Sequence, residues 1–243
     1  MNVRIGIAGW SFPKPAEQFG EDGTHLARYA TQFNAVEINS SFYRSHRRTT
    51  YERWRKSTPS NFKFSVKMPK QITHTQRLKD VEPLIDKFIN EISGLEERLG
   101  PILVQLPPSL SWNADIVSNF WGQLRARFNG DIVCEPRHRS WFEERVDHQL
   151  ADFEIKRVFA DPSSVPKTEQ PSSSNESHYF RLHGSPRVYY SSYDDDYLQA
   201  LAKRIAQPLH FETWCIFDNT AANAAMSNAL RLKSLLASHW SVR

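Results

Sequence analysis

The sequence predicts an α/β fold, a TIM-barrel-like parallel barrel of about eight strands that fills residues 1–243 as a single domain. Three observations predict it. Short β-rich runs alternate with helical patterns along nearly the whole chain, the 243 residues fit the ~250 that such a barrel occupies, and polar residues gather at the late ends of several strands. Repeated strand, helix, strand implies parallel pairing, because each return to the same sheet edge needs a crossover.

In order, the strand runs are Val3 to Ala8, Val36 to Asn39, Phe62 to Lys67, Ile102 to Leu106, Ile132 to Glu135, Arg157 to Ala160, Tyr179 to His183 and Phe211 to Phe217. Helical patterns separate most of them: Leu26 to Phe33, Thr49 to Lys56, Val81 to Leu99, Ala114 to Phe128, Trp141 to Ala151, Asp194 to Ile205 and Ala221 to Ala237. One link is irregular. From Asp161 to Ser177 the text carries three prolines and six serines without apolar periodicity, which predicts a loop in place of the sixth helix. The acids Asp194, Asp195 and Asp196 follow two serines at a helix start, where carboxylates complement the positive helix end; this is a better account of them than a metal site.

Composition narrows the class. With 40% apolar and 24% charged residues, 14 Pro, 9 Gly and 2 Cys, the chain is neither collagen, nor disordered, nor a disulfide scaffold. Cys134 and Cys215 sit in apolar strand runs and read as small buried hydrophobes. No stretch approaches the ~18 uncharged apolar residues of a membrane span, and the N-terminus enters a strand at once. The expectation is a soluble cytoplasmic protein without membrane contact. Net charge is +4, but its distribution is uneven: residues 44–79 hold eleven basic side chains and one acid, a local balance of +10, leaving −6 for the remainder. That segment should attract an anionic partner, nucleic acid included, or pair with acids elsewhere in the fold.

Strand parity sharpens the site. Residues of one parity point into a barrel, and those at the carboxyl ends line its mouth. Glu37 and Asn39 share a parity on strand two, Ser65 and Lys67 on strand three, Glu135 and Arg137 on strand five, and Arg181 and His183 on strand seven; Gln105 ends strand four and Asp218 strand eight. An ordinary buried parallel strand reads as continuous Val, Ile and Leu. Charges in this number must pair with one another or face a wet cavity, so two readings stand side by side: a working site, and a charge-paired plug in which Lys67, Arg137 and Arg181 neutralise Glu37 and Glu135. Single signals are weaker. Gly9 and Trp10 fit a tight turn with a core aromatic, His74 and Arg77 a solvated turn, and Pro107 and Pro108 a strand stop.

The segments GIAGWSF, NAVEINSSFYR, FKFSVK, ITHTQRL, ILVQLPPSL, EPRHRSWF, FRLHG and CIFDN, in this order between Ile5 and about Leu230, resemble the YecE-like family, also called domain of unknown function 72. The resemblance implies a TIM-barrel-like fold and no established activity. Its motif residues fall on Trp10, Glu37, Asn39, Tyr43, Arg44, Lys67, His74, Arg77, Gln105, Arg137, Arg181 and His183. Two departures stand out. Pro136 precedes Arg137 where the family more often has an aromatic, and Asp218 precedes Asn219 where it often shows two asparagines.

The leading expectation is a protein that binds a small phosphorylated or carboxylated metabolite and transforms it by general acid/base chemistry. Arg44, Arg77, Arg137 and Arg181 would grip the anion through forked hydrogen bonds, with Trp10, Asn39, Tyr43, His74, Gln105 and Asn219 completing the binding set. Glu37 or Glu135 would act as base, and Lys67 and His183 as acid or charge stabiliser. An Arg181→Ala variant is expected to keep its fold and lose its response to phosphate. With no Gly-rich phosphate loop, dinucleotide fingerprint or nucleophile elbow, no cofactor and no metal is assigned. The first alternative is nucleic-acid binding through residues 44–79, or phosphodiester cleavage with Mg²⁺ or Mn²⁺ held by Glu135, Asp161, His183 and Asp218. The second is a non-catalytic binding module.

Overall fold

The computed structural model describes residues 3–11, 19–20, 22–166, 178–206 and 212–240. Among these residues nine strands appear: β1 (Val3–Ile7), β2 (Ala35–Ile38), β3 (Lys63–Lys67), β4 (Leu99–Gln105), β5 (Ile132–Glu135), β6 (Ile155–Arg157), β7 (Phe159–Asp161), β8 (Tyr179–Leu182) and β9 (Thr213–Phe217). Between them lie α1 (His25–Tyr29), α2 (Ser40–Tyr43), α3 (Arg48–Lys56), α4 (Glu82–Ile92), α5 (Ala114–Arg125), α6 (Glu144–Asp152) and α7 (Asp195–Ile205), with α8 (Ala224–Trp240) last. All strand pairs are parallel, as the alternation requires.

The strands form two sheets rather than the expected single ring of about eight: a four-stranded sheet ordered β1-β9-β8-β7 and a five-stranded sheet ordered β2-β3-β4-β5-β6. The expected sixth strand is divided at Val158. Its first part, β6, pairs with β5, and its second, β7, pairs with β8, while the Val158 amide still donates to Cys134 O at 2.9 Å. At the other junction side chains replace a ladder. Asn34 Oδ1 accepts from the Ile5 amide (3.0 Å) and its Nδ2 donates to Val3 O (2.9 Å); the Tyr29 hydroxyl accepts from the Ile7 amide (3.0 Å) and donates to Ala35 O (2.9 Å). Just past the end of β1, Ala8 forms an isolated parallel bridge with Glu37, and the Gly9 amide bonds Glu37 O at 2.9 Å. Gly6 is required here, since a Cβ would meet Ala35 O at 2.3 Å.

Two apolar clusters follow from the period-two pattern. The larger lies between the sheets' outer faces and the helices, and includes Tyr29, Phe64, Phe88, Trp121 and Trp141. The smaller takes Ala35, Leu103, Val133, Val158, Tyr179, Trp214 and Ile216 from both sheets. Two residues further along the same strands, at the same parity, stand Glu37, Gln105, Glu135, Arg181 and Asp218. The inner face therefore changes from apolar to charged toward the strand C-termini.

Several ends differ from expectation. The helix predicted to run to Leu99 stops at Ile92 and continues as a 3₁₀ segment, Ser93–Arg98, with Glu96 at φ 46°. The break coincides with Gly94, where a Cβ would meet Arg48 O at 2.6 Å. The three acids open α7 as expected: Asp194 caps it by accepting from the Tyr197 amide at 2.8 Å. Of the Pro/Ser-rich stretch only 161–166 is described; the predicted loop at 167–177 and the strand start at Phe211 lie outside the described residues. Both cysteines are buried and free.

Candidate functional site

The strand C-termini converge on Arg181. Its side chain, at the third position of β8, is fully buried and sits among three carboxylates from three strand ends. Nε and Nη2 fork onto Glu37 Oε2 (2.9 Å) and Oε1 (2.8 Å), Nη1 donates to Glu135 Oε2 (2.6 Å), and Nη2 also donates to Asp218 Oδ2 (2.9 Å). Below it, the Tyr179 hydroxyl donates to Glu37 Oε2 (3.0 Å) and shares a hydrogen bond with the Ser65 hydroxyl (2.7 Å). His183 bridges the same acids, with Nδ1 3.0 Å from Asp218 Oδ2 and Nε2 3.0 Å from Glu135 Oε1. Pro136 ends β5, and Arg137 folds back so that Nε (3.1 Å) and Nη2 (3.0 Å) both reach Glu135 Oε1. Arg137 Nη1 approaches the Tyr189 hydroxyl at 3.5 Å.

These contacts decide protonation. Burial opposes the charge of Glu135, but Arg181, His183 and Arg137 outweigh it and hold the carboxyl well below its usual range; Asp218 is likewise lowered against burial by Arg181 and His183. His183 is raised, because the nearby Glu135 and its hydrogen bonds to both carboxylates overcome the cost of burial. With a carboxylate oxygen on each ring nitrogen, the doubly protonated imidazolium is the form that satisfies both. The sign of the linkage follows. His183 stabilises the fold fully below its unfolded value of 6.5 and loses that contribution as pH rises through its raised native value. The two carboxylates contribute above their ordinary values near 4 and lose theirs as pH falls through the lowered native ones. An NMR titration of the His183 ring should give a midpoint above 6.5; a midpoint below it would contradict the double carboxylate bridge.

Lys67, the last residue of β3, is placed differently. It is 5% exposed, its Nζ lies 4.3 Å from the centre of the Phe42 ring, and no carboxylate among the described residues stands within ion-pair distance. Burial and the Arg181 charge, partly offset by Glu37, Asp218 and Glu135, bring its amine down to about 8. Beside it, His74 packs edge-on against Phe42 at 5.0 Å and hydrogen-bonds the Thr73 hydroxyl at 2.8 Å. Partial burial and the charges of Lys67, Lys70 and Arg137 push His74 down to about 4, so it is neutral at pH 7. Asn39 Oδ1 is buried without a partner, and the Gln105 amide, 8% exposed, has none among the described residues.

The expected residues therefore divide. Glu37, Lys67, Glu135, Arg137, Arg181 and His183 come together, with Asn39, His74 and Gln105 on the β2–β4 side. Trp10 instead packs on Trp54 with ring centres 5.0 Å apart. Tyr43 and Arg44 are exposed and line a separate cavity of about 250 Å³ between α2 and α4, with Lys70 and Lys87. Arg77, at φ 52°, donates to Ser109 Oγ (3.0 Å) and Ser109 O (2.8 Å), tying two loops together. Asn219 is fully buried and spans Ser191 O and Asn228 Oδ1, both at 2.9 Å. Against the expectation that Arg181→Ala would leave the fold intact, that substitution would remove the one partner common to three buried carboxylates. Sequence reasoning passed over Tyr179 and Tyr189. Parity with Arg181 was the available signal for Tyr179, and none marked Tyr189.

A hollow of about 160 Å³ opens beside the network, lined by Glu135, Arg137, His183, Ser163 and Ser164 among others. Of the carboxylates named for a metal, Glu135 and Asp218 close on Arg181, and that of Asp161 accepts from the Tyr193 hydroxyl at 3.1 Å. Among the described residues no group of three or more His, Cys, Asp or Glu forms a metal-binding cluster. Among them, too, no helix is long and apolar enough to cross a membrane.

The family model described as "Protein of unknown function DUF72" matches residues 4–242. UPF0759 protein YecE of Escherichia coli K12 is 30% identical over 169 residues, which cover 67% of this chain and 60% of YecE. The chain thus spans about 60% of the length of that relative. UPF0759 protein YunF of Bacillus subtilis is 26% identical, with 96% of this chain and 94% of YunF covered. Among solved structures, a DUF72 family protein from Thermotoga maritima aligns with a TM-score of 0.78 at 25% identity over 98% of this chain and 100% of its own. One from Enterococcus faecalis aligns with a TM-score of 0.78 at 20% identity over 97% and 95%, a likeness that speaks to the fold alone. Matched by the family model over nearly its whole length, the chain belongs to the DUF72 (UPF0759) family.

Proposed function

We propose that the two sheets are halves of one closed parallel barrel, a single domain, whose C-terminal mouth binds a small carboxylated or phosphorylated metabolite and is equipped for general acid/base chemistry upon it. Closure is supported by the inner apolar cluster drawn from both sheets, by the Ala8–Glu37 bridge with its Asn34 and Tyr29 substitutes for a ladder, and by the continuous chain through Val158.

One observation carries the ligand class: among the described residues the mouth holds more cation than anion. Glu37, Glu135 and Asp218 face Arg181, Arg137, a protonated His183 and Lys67, and Lys67 alone has no counter-ion within pairing distance. A buried, uncompensated charge is costly, so an incoming anion gains both the attraction and the removal of that cost. Arg137, at the rim of the hollow, is the residue placed to grip it, and His183 holds a proton beside the same space. At about 160 Å³ the hollow suits a metabolite of a few heavy atoms rather than the ~300–1,000 Å³ class of drug-sized ligands.

Inorganic phosphate is expected to raise the unfolding temperature of the wild-type protein in a saturable way, and Arg137→Gln to weaken the apparent affinity about tenfold or more, in line with the ~1.5–3 kcal/mol of a charged hydrogen bond. A wild-type unfolding temperature indifferent to phosphate, sulfate and a panel of small carboxylates would remove this reading. Saturable binding without turnover across such a panel would point to a binding module.

A second reading rests on the basic segment. Arg44, Arg47, Arg53, Lys56, Lys70 and Lys79 are exposed and without ion-pair partners among the described residues. They would track nucleic-acid phosphates. Steeply salt-dependent retention of single-stranded DNA, lost when Arg47, Arg53 and Lys56 are replaced together by Gln, would favour it.

A further inference from the structure

We propose that Lys67 is an imine-forming nucleophile, so that the metabolite taken by the mouth is a small anionic carbonyl compound: an aldehyde bearing phosphate, or a 2-oxo acid. The inference rests on the anion-binding reading above and names its substrate class and reacting atom.

Placement separates Lys67 from every other cation of the mouth. Arg181 and Arg137 carry charges that cannot be removed, and both are hydrogen-bonded to carboxylates. A further lysine serving only as a charge would be expected to pair with Glu37 or Asp218. Lys67 instead ends β3 nearly out of solvent, with its nitrogen over an aromatic face. Uncommitted polar groups stand at adjacent strand ends, Asn39 Oδ1 after β2 and the Gln105 amide at the end of β4, and the neutral His74, held by Thr73, packs on the same Phe42 ring. These are groups able to orient a carbonyl and its hydroxyl product. Desolvation of this kind is the usual way a lysine becomes a nucleophile, and the amine of Lys67, at about 8 rather than 10.5, supplies a neutral fraction near physiological pH.

The step balances without any added oxidant, reductant or metal. The Nζ lone pair attacks the carbonyl carbon while the C=O π pair moves to oxygen. One proton passes from nitrogen to that oxygen, giving a carbinolamine. Its hydroxyl takes up a second proton and leaves as water, and the C=N bond forms. His183, bridging Glu135 and Asp218, is the acid assigned to that departure. The product iminium keeps the positive charge of the ammonium it replaces, so the anion remains balanced.

The test uses the full wild-type chain with pyruvate and, separately, glycolaldehyde phosphate, followed by sodium borohydride, which reduces an imine to a stable secondary amine. The expected result is a mass gain equal to the probe less one oxygen, mapped by peptide mass spectrometry to Lys67. Labelling there should be severalfold faster than at exposed Lys79 at pH 7, and should rise with pH to a midpoint near 8. Lys67→Arg, which keeps the charge, should lose the label while still binding phosphate. Because the site is mapped in the wild-type protein, the result does not depend on how that variant folds. Labelling no faster at Lys67 than at Lys79, or none with either probe, overturns the inference. The anion reading is judged separately by phosphate stabilisation of the wild type, so binding without trapping sinks this proposal alone.

Discussion

Lys67→Met is expected to make the free protein more stable and at the same time to abolish its response to phosphate. The amine is lowered from 10.5 to about 8, which means that the fold resists the protonated form. At ~1.4 kcal/mol per pKa unit the resistance at pH 7 is on the order of 3 kcal/mol. A thioether of similar length keeps the contact with Phe42 and needs no counter-ion. For a chain of this size that gain corresponds to a rise of roughly 5–10 °C in unfolding temperature. The sign can be checked against pH. The wild type carries the full penalty below pH 8 and sheds it between 8 and 10.5, so the variant's advantage should shrink over that interval. A variant less stable than wild type at pH 7 would mean that Lys67 is paired after all. Stability gained by removing a polar group at a strand end is the pattern expected where a site has been kept at the fold's expense.

Arg181→Met should have the opposite effect and a larger one. The guanidinium makes four hydrogen bonds to Glu37, Glu135 and Asp218, all essentially sealed from solvent. Breaking a single buried pair typically costs ~3–5 kcal/mol, because the remaining charge is left uncompensated; here three carboxylates lose their common partner. A loss of about 5 kcal/mol or more is expected at pH 7, a large share of the ~5–15 kcal/mol that holds a typical domain. Without the cation the acids would protonate more readily, so the deficit should narrow as pH falls toward 4. Arg181→Lys should recover only part of it, since an ammonium cannot fork onto Glu37 while reaching two further acids. Urea unfolding across this pH range measures all three. An Arg181→Met protein within about 1 kcal/mol of wild type at pH 7 would show that the network is ornamental to stability.

Much of this was legible in the sequence. Strand and helix alternation located the described strands to within a few residues, except that β6 and β7 were read as one, because buried parallel strands and amphipathic helices differ in period. Parity picked out Glu37, Lys67, Glu135, Arg181 and His183, since alternate residues of a strand share a face. Parity gives direction but not depth or partner. It could not tell that Arg181 lies beneath His183 with three acids around it, or that Lys67 stands apart from them. Trp10, Tyr43, Arg44 and Arg77 are motif residues of the resemblance, and the structure places them in an aromatic contact, along a separate cavity and between two loops. The junction of β1 with β2 was illegible for another reason: it is made by Asn34 and Tyr29, side chains of a helix and its following turn, which no strand pattern encodes.

A crystal structure of the wild-type protein grown in phosphate tests the surplus cation most directly. The expected density is a phosphate at the mouth, with oxygens within hydrogen-bond distance of Lys67 Nζ and the Arg137 guanidinium, while Arg181 keeps its carboxylates. A Lys67 ammonium found ion-paired to Glu37 or Asp218, above a mouth that takes up no anion, would contradict it.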